Sequence, residues 1–302
     1  VIHGIIVGHQ LPIQHRGRDG AGMAEQILPD NHHRQPGGRH VFLCACIDHA
    51  ELAHIHRLRQ DAGGHIGHQR NIAGIRDVGV LMHGKCQSLM DHLRSGKSWD
   101  LSRSFGGLTL LPVFAYNSAR GNGRFRGKLE ALDVVRDYLR HIDQDYVLLA
   151  DSDVALNIDL QAVLRAHIDT GADVTAVCAP STGDGMYLVA DETGRVREVV
   201  ENLHRGNRCL QIFLLRTELL LSLVERFVSR HEYSFQECVL QGLTKEMHIH
   251  GYVFHDFAAH ITDVAGYYES SMQLLDPAVR QDLFCPQRPI YAKENDAAST
   301  YM

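Results

Sequence analysis

Basic residues are too few for a nucleic-acid-binding protein. Against 36 Asp and Glu there are only 30 Lys and Arg, a net charge of −6 at pH 7. Phosphate backbones are gripped by basic faces, so nucleic acid is not expected as the main partner. Long apolar runs are also missing. None approaches the roughly 20 residues of a membrane helix, and the first residues carry no signal-peptide pattern. No membrane association is expected. Cysteine is sparse and odd in number, seven in all, at positions 44, 46, 86, 178, 209, 238 and 285. That scatter is no disulfide framework and points to a reducing cytoplasm. Nor does any repeat of about 20–50 residues appear, which argues against a solenoid or propeller.

What remains is an ordinary globular composition, 44% hydrophobic and 22% charged over 302 residues, enough to bury a core. The chain divides into two textures. Eleven of the 21 histidines fall in the first 68 residues, among many Arg, Gln and Gly. HRGRDGAGM (15–23) and DNHHRQPGGRH (30–40) hold neither a helical nor a strand period, and such a block is also what an out-of-frame stretch encodes. Only GIIV (4–7) and HVFLCACI (40–47) read as strands there. Cys44, Cys46, His49, His54 and His56 would be a zinc cluster, but their spacing matches no common structural motif. The glycines at 17–22 and 37–38 lack the strand–loop–helix setting of a phosphate loop. Residues 1–74 are therefore set apart from 75–283, and the Pro-punctuated 284–302 reads as a linker.

From residue 75 onward the periods are regular. Strands are expected over 76–82, 145–153, 173–179 and 209–215, with two more in HIHGYVFHDFAAHI (248–261). MYLVADETGRVREVVE (186–201) reads as a hairpin turning on Asp191–Gly194. Helices are expected over 127–142, where Leu129, Leu132, Val135 and Leu139 share one face, and over 160–172 with a stop at Gly171. Two further helices read over 217–230 and 264–275. Strands alternating with helices imply an α/β domain with a mostly parallel sheet covered on both faces.

Open α/β sheets bind ligands outside the carboxyl ends of their strands. The acids of Asp151-Ser152-Asp153 follow the apolar run VLLA at such an end. Two carboxylates so spaced can hold Mg²⁺, which bridges phosphate oxygens; alternatively they are solvated loop acids. Asp159 reads as a helix N-cap. Gly127 and Lys128 open a helix where an anion could be received, though a solvated helix start reads equally well. Glu198 and Glu201 flank a strand end and could hydrogen-bond sugar hydroxyls, or simply face water.

DVGVLMHGKCQSLMDHLRSGKSWDLSRSFGGLTLLP (77–112) resembles bacterial ADP-glucose pyrophosphorylase, and within that family the D-type regulatory subunit. FRGKLEALDVVRDYL (125–139), DYVLLADSDVALNIDL (145–160), HIDTGADVTAVC (167–178) and MQLLDPAVRQDLFCPQRPIYAK (272–293) resemble the same subunit in the same order. The likeness runs from about Gly74 to the C-terminus. It implies a Rossmann-like, GT-A-related nucleotidyltransferase domain, here cut off before the left-handed β-helix that follows it in the family. It implies that QSLMDHL begins a helix after a strand and that the stretch Lys85–Leu101 serves as scaffold or subunit contact. It also implies Mg²⁺ as cofactor, nucleotide or sugar phosphate as ligand, and a catalytic subunit as hetero-oligomeric partner.

Departures from the catalytic pattern are many. No Gly-Gly-x-Gly-x-Arg-Leu loop follows GIIV, and only Gly37-Gly38-Arg39-His40 echoes the family's Pro-Phe-Gly-Gly segment. Gly127-Lys128-Leu129 stands for Gly-Thr-Ala, Glu201-Asn202-Leu203 for Glu-Lys-Pro, and Cys209-Leu210-Gln211 for Ser-Met-Gly. Asp153 matches the catalytic metal aspartate and is the one vestigial catalytic candidate; Asp263 stands near a second acid. The resemblance therefore implies a regulatory, non-catalytic subunit of glucose-1-phosphate adenylyltransferase in glycogen synthesis. Two other readings stay open: an active sugar-phosphate nucleotidyltransferase with a sequence error at its N-terminus, and a D-x-D glycosyltransferase.

Overall fold

The computed structural model describes residues 41–47, 75, 77–82, 86–97, 101–102, 106–112, 126–181, 183–202, 205–288 and 290. In chain order these form β1 (Val41–Ile47), β2 (Asp77–Met82), α1 (Gln87–Leu93), β3 (Gly107–Pro112), α2 (Lys128–Val134) and α3 (Arg136–His141). Then come β4 (Tyr146–Asp151), β5 (Val154–Leu156), α4 (Leu160–Thr170), β6 (Val174–Ala179), β7 (Met186–Ala190) and β8 (Val196–Glu201). The last are β9 (Asn207–Arg216), α5 (Thr217–Val228), a π-helical turn (Gln236–Gln241), β10 (Ile249–Val253), β11 (Ala258–His260), α6 (Val264–Gln273) and α7 (Pro277–Leu283).

The main sheet runs β10–β6–β9–β4–β1–β2–β3, with β7 paired to β9 and β8 to β7. Six of the seven strands on that path point one way; β9 alone is opposed, antiparallel to both β4 and β6. The fold is a mixed α/β domain on a central sheet. The strand expected at 40–47 is present as β1, paired in parallel between β4 and β2. GIIV and the glycines at 17–22 and 37–38 lie outside the described residues.

Alternation along the central strands builds two cores. Val147, Leu149, Val174, Ala176, Phe213 and Leu215 face one side, where α2, α3 and α5 cover them with Leu129, Leu132, Leu139, Leu220 and Val224. Tyr146, Leu148, Val177, Ile212 and Leu214 face the other, under Leu160, Val163 and Leu164 of α4. The helix expected over 127–142 is divided at Val135 (φ −100°, ψ 15°), yet the predicted stripe stays buried throughout. Helix α4 begins and ends where expected: Asp159 caps it by accepting from the N–H groups of Gln161 and Ala162, and Gly171 closes it at φ 60°. Helix α1 rests Leu89 and Leu93 on Val80 and Met82, so the QSLMDHL segment braces the sheet margin. No described helix is long and apolar enough to cross a membrane.

Helix α7, the short strands β3 and β5, and the π-turn were not legible from periodicity. Asn157 ties the first of these back to the end of β5. It is 1% exposed, and its amide nitrogen donates to the carbonyls of Leu283 and Arg288, both at 2.8 Å. Asn157→Ala strips both carbonyls of their donor and should cost about 2 kcal/mol in urea unfolding. Tryptic cleavage at Arg280, within α7, should quicken; unchanged stability and cleavage would show the tie to be idle.

His167 of α4 is 2% exposed, its Nδ1 2.8 Å from Thr175 Oγ1 and its ring edge-on to Tyr146. Burial, aided by the nearby Arg216 cation, lowers its pKa from 6.5 to about 4. The folded value lies below the unfolded one, so the unfolded chain binds the extra proton between those two pH values, and His167 makes stability rise with pH there. His167→Gln should flatten that rise in urea midpoints measured across the window. An identical slope in both proteins would remove His167 as its cause.

Candidate functional site

The period of β4 decides where its terminal acid points. Asp151 shares a strand face with Val147 and Leu149, the face that α2 covers. The start of α2 is held against the turn before the π-helix. A Cβ on Gly127 would run into the Tyr233 backbone carbonyl, so only glycine permits this approach, and the Leu129 N–H donates to that carbonyl at 3.0 Å. Arg126 lays its guanidinium on the Tyr233 ring at 3.7 Å, while its own N–H donates to the Glu130 carboxylate at 2.7 Å. So fixed, the helix turns Lys128 inward. Its side chain is 7% exposed, and its ammonium lies 2.8 Å from Asp151 Oδ1 and 5.1 Å from the centre of the Phe213 ring. Burial beside these charges also matters to Cys209: desolvation pushes its thiol up to about 11, which keeps it protonated and poorly nucleophilic.

Asp153 begins the turn from β4 into β5. Antiparallel pairing of β5 with β11 sets His260 opposite Val154, and the Ile261 N–H donates to the Asp153 carbonyl at 2.7 Å. His260 Nε2 thereby stands 3.5 Å from Asp153 Oδ2, and its Nδ1 lies 3.4 Å from Arg208 Nη2. An arginine can only donate, so Nδ1 accepts and the neutral ring's proton sits on Nε2, toward the carboxylate. Desolvation lowers the His260 pKa; Asp153 acts against that lowering, and Arg208 reinforces it. The Arg208 guanidinium in turn crosses the 183–185 loop, where a Cβ on Gly183 or Gly185 would come within 3.1 or 3.0 Å of it. At the carboxyl end of β4, then, two acids each face a basic group supplied by the fold.

The other candidates are employed locally or stand exposed. Glu201 ends β8, exposed, and Asp263 caps α6 by accepting from the Gly266 N–H at 2.7 Å. Glu198 makes an exposed 3.4 Å ion pair with Arg205. Asn202 sits at φ 54°; its backbone N–H donates to the Gly185 carbonyl and its side-chain oxygen accepts from the Gly185 N–H. Gln211 takes φ 59° in the irregular step of β9, with its amide oxygen accepting from Gln236. Such a backbone suits glycine, which is what the catalytic pattern carries at that position. Periodicity could not have found Arg208, His260 or Phe213, because each reaches the site through strand pairing between segments distant in sequence. The zinc-like His and Cys side chains of 44–56 and the 37–40 echo lie outside the described side chains.

A mixed α/β domain on a central sheet, with acids at the carboxyl end of a central strand where such sheets bind ligands, is consistent with a nucleotidyltransferase-like domain. No family model matches the chain. Curated relatives do. The chain is 31% identical to the "Glycogen biosynthesis protein GlgD" of Bacillus subtilis over 229 residues, 76% of this chain and 58% of the relative. It is 34% identical to the protein of the same name from Geobacillus stearothermophilus, again over 76% and 58%. To the "Glucose-1-phosphate adenylyltransferase" of Halalkalibacterium halodurans it is 24% identical, over 76% and 62%. The chain spans less than two thirds of the length of these relatives. It belongs to the ADP-glucose pyrophosphorylase family.

The Lys128–Asp151 pair is open to direct measurement. Removing one partner of a buried pair leaves an uncompensated charge, whereas removing both is often nearly neutral. Asp151→Asn strands the better buried member and should destabilise by about 3 kcal/mol. Lys128→Met should cost less, because Asp151 keeps 23% exposure and some hydration. The Lys128→Met/Asp151→Asn protein should be more stable than Asp151→Asn alone, with a coupling of at least about 1 kcal/mol in urea unfolding. Strict additivity would mean the two groups do not interact.

Proposed function

We propose that the chain is a regulatory, non-catalytic member of its family, a GT-A-related Rossmann-like domain of the cytoplasm. In this reading it acts in glycogen synthesis by modulating a catalytic subunit, its hetero-oligomeric partner, that joins ATP and glucose 1-phosphate into ADP-glucose and pyrophosphate. The observation that carries the reading is the employment of the diverged positions. Where catalytic members present a lysine to the sugar phosphate, Asn202 instead closes hydrogen bonds on Gly185. Where they carry glycine beside the substrate, Gln211 is held by Gln236. Both side chains are committed to backbone and neighbours rather than to a ligand. The higher identity to the two GlgD proteins, 31% and 34% against 24% for the adenylyltransferase, lends further support.

Charge-assisted contacts contribute roughly 1.5–3 kcal/mol each, and every 1.36 kcal/mol of lost transition-state stabilisation slows a reaction about tenfold. Losing two such contacts therefore lowers turnover by about 10³. Purified alone and given ATP, glucose 1-phosphate and Mg²⁺, the chain should release no pyrophosphate above background. Added to a catalytic subunit, it should change that subunit's rate or substrate affinity. Turnover by the isolated chain that disappears in Asp153→Asn would make it an enzyme and overturn the regulatory reading.

A further inference from the structure

The family resemblance implies a divalent cation at the carboxyl end of β4, and the side chains there do not fit one. Mg²⁺ is commonly held by one or two carboxylates, with waters and phosphate oxygens completing its shell, so those carboxylates must not already be neutralised by a cation of the protein. Among the described residues, no group of three or more His, Cys, Asp or Glu side chains is placed to hold a metal. The acid that lies on the helix-covered face, Asp151, is already in contact with a cation: the Lys128 ammonium at 2.8 Å. Asp153 faces His260 and, beyond it, Arg208.

We propose that Lys128 is the site's built-in cation, an internal ammonium that neutralises Asp151 and so excludes a divalent metal from the Asp151–Asp153 edge. Three observations carry this. The ammonium is not a surface charge that a metal could brush aside, for the Lys128 side chain is 7% exposed and lies beside the Phe213 ring. Its backbone cannot easily swing away. The Gly127 contact with the Tyr233 carbonyl, the Leu129 N–H bond to the same carbonyl and the Arg126–Glu130 clasp all fix the helix start. Finally, the charge count closes without a metal. Among the described residues, Asp151 is matched by Lys128, and Asp153 faces a histidine backed by Arg208, so a doubly charged ion would find no net negative charge among them to compensate it. Lys128 thus sets the ion specificity of the edge, a role distinct from receiving an anion at the start of α2.

Mn²⁺ titration followed by electron paramagnetic resonance tests the assignment, since bound Mn²⁺ loses the sharp signal of the free ion. The reference is Lys128→Met/Asp151→Asn, which keeps the shape of the pair and removes both charges. Wild type should bind Mn²⁺ no more tightly than this reference. Lys128→Met, which bares the Asp151 carboxylate beside Asp153, should bind at least about tenfold more tightly than either. Wild-type binding tighter than the reference would overturn the proposal, and so would a cooperatively folded Lys128→Met protein that gains no affinity. Should Lys128→Met fail to fold, the wild-type and reference comparison still decides: equal affinity supports the built-in cation, and tighter wild-type binding refutes it. The result is separable from the regulatory reading, which falls on ADP-glucose formation and not on Mn²⁺ affinity.

Discussion

Strand β9 is the constraint on which the rest of the domain depends. It enters antiparallel between β4 and β6, and it also receives β7 along its first residues. Its alternation supplies Phe213 and Leu215 to one core and Ile212 and Leu214 to the other. Without β9 the parallel strands on either side would have no common hydrogen-bonding partner. The two helical layers would then face a sheet split between β4 and β6. At this seam most of a strand's apolar area leaves water on both faces at once, at about 25 cal/mol per Å².

The same strand shapes the site. Where β9 steps out of register with β6, Cys209 pairs with Cys178 and Gln211 takes a left-handed backbone. That step carries Arg208 to the 183–185 loop and to His260. Phe213, two residues past the step, lies beside the Lys128 ammonium. The basic groups that face Asp151 and Asp153 are thus delivered by packing rather than by a contiguous motif. A site assembled in this way has its electrostatics settled before any ligand arrives.

How the regulatory reading relates to this geometry can be put in physical terms. A catalytic nucleotidyltransferase needs cations free to meet phosphate oxygens as charge develops. Among the described residues, Lys128 faces Asp151, Arg208 lies against the 183–185 loop and His260, Asn202 holds the Gly185 backbone and Gln211 is held by the Gln236 side chain.

Much of the scaffold was legible in the residues themselves. The leucine stripe of 129, 132 and 139, the hairpin turning at Asp191–Gly194, the Asp159 cap and the Gly171 stop all follow from local rules of period, turn and capping. The acids at 151 and 153 were legible as strand-end acids for the same reason. The pairing of each acid was not. Lys128 lies 23 positions before Asp151, and His260 lies 107 after Asp153; no local period links such positions. Lysine at a helix start reads as a solvated or anion-receiving charge until the Tyr233 carbonyl and the face of β4 turn it inward. The sequence by itself determined which residues are apolar, which cap and which can carry charge. The tertiary structure alone decided which charge meets which, because an ion pair is set by distance and burial in space, and neither is written in the order of the chain.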